Sequence, residues 1–67
     1  MEEVKFSCGS YEQNKNMVNH INDICCHGKP ADISLMDGRV IIYLEALKRE
    51  SENVQNAVMY IISKMAE

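Results

Sequence analysis

"ADISLMDGRVIIYLEAL", residues 31–47, is the stretch whose reading decides the fold. Asp37-Gly38 is the strongest short hairpin signal in the chain, because a two-residue type I′ turn needs positive φ at both central positions. With that pair at the tip, Met36 faces Arg39, Leu35 faces Val40, Ser34 faces Ile41 and Ile33 faces Ile42. Residues opposite one another across a ladder share a face of the sheet. One face then collects Ile33, Leu35, Val40, Ile42 and Leu44, all apolar. A one-residue slip would turn that whole set to solvent, so the uniformity supports the register. The other face collects Ser34, Met36, Ile41 and Tyr43 and reads as open.

Upstream, "EEVKFSC", residues 2–8, alternates Val4, Phe6 and Cys8 with Glu3, Lys5 and Ser7, the period-two pattern of a strand. Gly9-Ser10 ends it. Ser10 with Gln13 three residues later makes a capping-box pattern. Met17, Val18, Ile21, Ile24 and Cys25 then trace one helical stripe, which predicts a helix over 11–26 stopped by Gly28 and Pro30. Downstream, Val54, Ala57, Val58, Ile61, Ile62 and Met65 form the clearest amphipathic stripe, with Ser51 as N-cap, Glu52 in the first turn and Lys64 near the end. The predicted architecture is α+β, a single small β-α-β-β-α domain over 1–67. Two helices pack on one face of a three-stranded, mostly antiparallel sheet.

The totals narrow the function. A chain of 67 residues buries only roughly 60% of its unfolded surface, and small scaffolds are often helped by a staple or a second copy. Net charge is −3, from 7 Lys+Arg against 10 Asp+Glu. The cations are scattered, and the adjacent Lys48-Arg49 stand among Glu45, Glu50 and Glu52. A counterion-releasing basic patch is missing, so no nucleic acid is expected as partner. "MEEVKF" has neither the basic nor the apolar region of a signal peptide. No apolar run approaches the ~18 residues of a membrane helix, so no membrane partner is expected. Three cysteines without a secretory signal fit a reducing cytoplasm.

"DICCHGKP", residues 23–30, is the one stretch that could be chemistry. Zinc is held by paired Cys or His ligands a few residues apart. Cys25 and Cys26 are adjacent, and on a helix their side chains diverge by about 100°. Cys8, His20 and His27 could contribute, but no paired spacing is present. A thioredoxin-like site needs its thiol at a helix N-terminus, whereas these thiols come at a helix end. The preferred reading makes Cys8 and Cys25 small buried hydrophobes and His27 a cation near a helix terminus. The competing reading is a metal-binding or thiol-redox sensor built on Cys8, Cys25, Cys26 and His27. No carboxylate pair is spaced for acid–base work, and the three glycines form no phosphate loop. The expectation is therefore no enzyme, no catalytic residue and no cofactor.

What remains is surface. Ile41, Tyr43 and Met36 on an uncovered sheet face would be unusual for a small monomer, and an edge strand offers docking by strand addition. Met59 and Tyr60 flank the apolar stripe of the last helix, and Glu45, Glu50 and Glu52 make an acidic rim. These residues predict a protein-binding module acting as a homodimer through the open face. It would be a regulator, an adaptor or a phage-type inhibitor of a host protein, and its acidic surface could mimic nucleic acid. The Asn-, Ile- and Lys-leaning usage is compatible with a bacterial or phage genome.

"SYEQNKNMVNHI", followed by "GRVIIYLEAL" and "NVQNAVMYI", resembles the core of SepF-type bacterial cell-division proteins. That core has a strand, a helix opening with a Ser/Thr-Tyr pair, an apolar strand ending in Asn-Leu, and a helix. The resemblance covers about two-thirds of the chain. It implies a self-associating module that binds the polymerising division protein FtsZ. "ADISLMD" has no counterpart in it, Tyr43 stands where the family has Asn, and the family's membrane-binding N-terminal helix and later strands are not matched. It carries over no functional residue.

Overall fold

A computed structural model describes residues 2–65. Along the chain come β1 (Glu3–Phe6), α1 (Tyr11–Ile24), β2 (Ala31–Ile33), β3 (Val40–Tyr43), α2 (Leu44–Leu47) and α3 (Glu52–Met65). The strands form one sheet in the spatial order β1-β3-β2, antiparallel throughout. The domain is thus mixed α+β, with one more short helix than the sequence predicts. None of the described helices is long and apolar enough to cross a membrane.

The β-branched run of β3 makes it the central strand. Val40 and Ile42 are fully buried and share a face with Phe6. Val18 and Ile21 of α1 and Val58 and Ile62 of α3 join them in one core cluster, so both long helices cover that face. Burying each such side chain contributes roughly 1.5–3 kcal/mol. The capping box forms as its residues predict: the Gln13 N–H donates to Ser10 Oγ at 3.2 Å, and the Ser10 N–H donates to Gln13 Oε1 at 2.8 Å. Ser51 also caps, its Oγ accepting from the Val54 N–H at 3.3 Å.

Four expectations need correction. The observed hairpin pairs are Ile33↔Val40, Asp32↔Ile41 and Ala31↔Ile42, a slip of two residues from the predicted register. Ser34 and Arg39 close a longer loop over 35–38, with the Ser34 N–H donating to the Arg39 carbonyl at 2.8 Å. Among the described residues only glycines have positive φ; Gly38 is at 72° and Asp37 stays negative. A type I′ turn therefore cannot form. An even slip preserves the faces, so Val40 and Ile42 still point inward, but Leu35 leaves the ladder and is 100% exposed.

Second, β3 ends at Tyr43 and Leu44 opens α2, so Leu44 is not a strand residue. Leu, Glu, Ala and Leu are strong helix formers, and Leu47 reaches the core at 3% exposure. Third, Ile41 is not exposed. As the middle of the central strand it lies between Lys5 and Asp32 of the neighbouring strands and is 6% exposed, outside the main core cluster. Fourth, α1 stops at Ile24, before Gly28, with Cys25 already extended at φ −91° and ψ 136°.

Candidate functional site

The segment after α1 has a structural explanation that its own sequence does not contain. Glu50, in the turn between α2 and α3, is only 5% exposed. Its Oε1 accepts the Cys26 N–H at 2.7 Å and its Oε2 accepts the His27 N–H at 2.8 Å. The His27 Nδ1 lies 3.5 Å from Oε1. Burial opposes the charge on Glu50 most strongly, but the two N–H groups and His27 together outweigh it and hold the carboxyl below its ordinary value. The turn is tied in its own right, because Gln55 Nε2 donates to the Glu50 carbonyl at 2.8 Å. Glu50 is therefore an internal clamp joining the end of α1 to the α2–α3 turn. The expectation that it belongs to an acidic binding rim is corrected.

Two of the three thiols, Cys25 just after α1 and Cys8 just after β1, are partly buried. Burial first, then the charges of Glu50 and Cys26, pushes the Cys25 thiol up, and burial pushes up Cys8. The reactive thiolate is disfavoured at both. Cys8 Sγ sits 3.7 Å from the Met65 sulfur. Among the described residues, no three His, Cys, Asp or Glu side chains gather where they could hold a metal ion. Cys26, His27 and His20 lie at the surface.

The exposed apolar surface is elsewhere. Leu35 is 100% and Met36 94% exposed, side by side at the hairpin tip. The backbone beneath them is pinned. Asp37 Oδ1 accepts the Arg39 N–H at 3.2 Å, and Oδ2 accepts Arg39 Nε at 2.8 Å. A second guanidinium nitrogen also lies 2.8 Å from Oδ2. These bonds from Arg39 lower the Asp37 carboxyl to about 2. The Gly38 N–H donates to the Ser34 carbonyl at 2.8 Å. The Gly38 carbonyl accepts from Asn14 Nδ2 at 3.1 Å.

Asn14 is 3% exposed and also holds the β1–α1 loop, its Oδ1 accepting the Cys8 N–H at 2.6 Å. The tip is thus seated on the start of α1. The ring of Tyr11, 59% exposed, lies so near that a Cβ on Gly38 would be 3.4 Å from it. The sequence placed Leu35 on the apolar face of the hairpin and did not single out Tyr11 as an exposed ring. The available signal was two large apolar residues directly before Asp-Gly, where a loop longer than two residues has no core to bury them.

The other expected contact residues do not gather into one patch. Tyr43 is half-buried and lines an open groove of about 350 Å³ with Glu45, Ala46 and Arg49. Glu52 is exposed in the first turn of α3. Met59 and Tyr60 are 47% and 63% exposed on α3, and the Lys64 ammonium stands 5.4 Å from the centre of the Tyr60 ring. Met36 belongs to the tip, not to the sheet face. No family model, no curated protein and no solved structure matches this chain.

Proposed function

We propose that the chain is a non-enzymatic protein-binding module whose contact point is the hairpin tip. Leu35 and Met36 enter an apolar pocket of a protein partner, with the Tyr11 ring at its margin. The observation that carries this reading is the full exposure of Leu35 beside a nearly fully exposed Met36 on a braced loop. Exposed apolar clusters rimmed by polar groups mark interaction sites. Burying both side chains would contribute roughly 1.5–3 kcal/mol each, and a tip already held in shape loses little conformational freedom on docking. The surrounding Asp37, Arg39, Asn14 and Ser34 bonds serve that pre-organisation. Such a module suits a regulator, an adaptor or an inhibitor that occludes its partner. The SepF-type resemblance is compatible with it, since that family's domain also acts by binding protein.

The test is the double substitution L35S/M36S. Both side chains are outside the core, so the variant should keep its far-UV spectrum and melt within a few degrees of the wild type. A protein retained by the immobilised wild type should be lost from the variant. Retention of the same proteins by a folded L35S/M36S would refute the tip as the contact point.

A further inference from the structure

The two edges of the sheet are finished differently. The Tyr43 N–H donates to the Pro30 carbonyl, and the Leu44 N–H donates to the Glu2 carbonyl. In an antiparallel ladder, successive residues direct their backbone groups alternately to either side. The outer groups of β2 are therefore those of Ala31 and Ile33, and side chains answer them. Asn22 bonds both the N–H and the carbonyl of Ala31 at 3.0 Å, and Asp32 Oδ1 takes the Ile33 N–H at 2.8 Å. On β1, Val4 and Phe6 face β3, while Glu3 and Lys5 aim their N–H and carbonyl groups outward. Among the described residues no side chain bonds these groups.

We infer that a second copy of this chain pairs along this edge of β1, antiparallel, with Val4 opposite the partner's Val4 and Glu3 opposite the partner's Lys5. Backbone parity allows only registers that set outward-facing residues against one another. Charge then selects among them. A shift of two residues one way would oppose Glu3 to the partner's Glu3, and the other way Lys5 to the partner's Lys5; like charges directly opposite are destabilising. The chosen register is self-complementary, as a two-fold interface requires. Within one chain Lys5 Nζ already lies 3.8 Å from Glu3 Oε1, so pairing sets two such ion pairs side by side. The result is one continuous sheet with all four long helices on the same face. The hairpin formed by β2 and β3 takes no part, so the dimer presents two free tips. This pairing does not depend on the tip's role.

Sedimentation equilibrium of the whole chain, up to millimolar concentration, tests it with E3K, K5E, their equimolar mixture and the double swap E3K/K5E. Both positions are exposed, and circular dichroism confirms that each variant is folded. The wild type should dimerise, and each single variant should weaken the dimer roughly tenfold. The mixture and the double swap should restore it. A wild type that stays monomeric at millimolar concentration would overturn the inference. So would single variants that associate as the wild type does, or a mixture and double swap that fail to recover.

Discussion

Glu50 and Asp37 are two carboxylates doing similar chemistry in opposite settings. Each accepts from backbone N–H, one at Asp37 and two at Glu50, and lies against a basic side chain, and each is held below the ordinary carboxyl value. Asp37 works at the surface within a few residues, bonding the N–H and the guanidinium of Arg39. Glu50 works in the interior across more than twenty residues of chain, bonding the N–H groups of Cys26 and His27. The local one shapes a turn. The distant one closes the domain. An unsatisfied polar group costs far more when buried than when water can replace its partner, so the two should differ sharply in what their loss does.

The largest effect is expected at the clamp. Glu50→Gln keeps the size of the side chain but replaces one accepting oxygen with a donor that faces an N–H. The melting temperature at neutral pH should fall by roughly 5–15 °C. The acid limb tests the same contact. A carboxyl whose folded value lies below its unfolded value stabilises the fold above the unfolded value and loses that contribution as pH falls through the folded one. The wild type should therefore lose stability on acidification below about pH 5, and the gap between it and E50Q should narrow in that range. A constant gap would mean that Glu50 acts through shape alone. The smallest effect belongs to Asp37→Asn, which should shift the neutral melting temperature by only about one or two degrees. Equal losses for the two variants would break the contrast.

The same contrast explains what could be read in the sequence. Features fixed within one turn were legible. The Ser10–Gln13 box needs only residues three positions apart, and the inward faces of Val40 and Ile42 survive any even slip in register. The hairpin register was misread because Asp37 uses its side chain on Arg39 instead of adopting positive φ, which lengthens the loop to 35–38 and strips Leu35 from the core. Leu44 was read as a strand residue because it continues the apolar alternation of Val40 and Ile42, although "LEAL" is made of helix formers. Ile41 was read as exposed because strand parity alone does not count the neighbours on both sides of a central strand. Glu50 was misread for the deepest reason: nothing local distinguishes it from Glu45 or Glu52. Its role exists only once the end of α1 is folded back over the α2–α3 turn. The exposed apolar tip was missed likewise, since only the corrected register brings Leu35 and Met36 out together.

Met36 and Met59 offer the most direct test of where a partner binds. Both are exposed methionines, one on the braced tip and one on the outer face of α3. A photo-reactive residue placed at either position, in separate samples, can be crosslinked in a cell extract. Binding through the tip predicts one defined protein adduct from position 36, absent when Leu35 is changed to serine, and none from position 59. An adduct from position 59 with none from position 36 would contradict it.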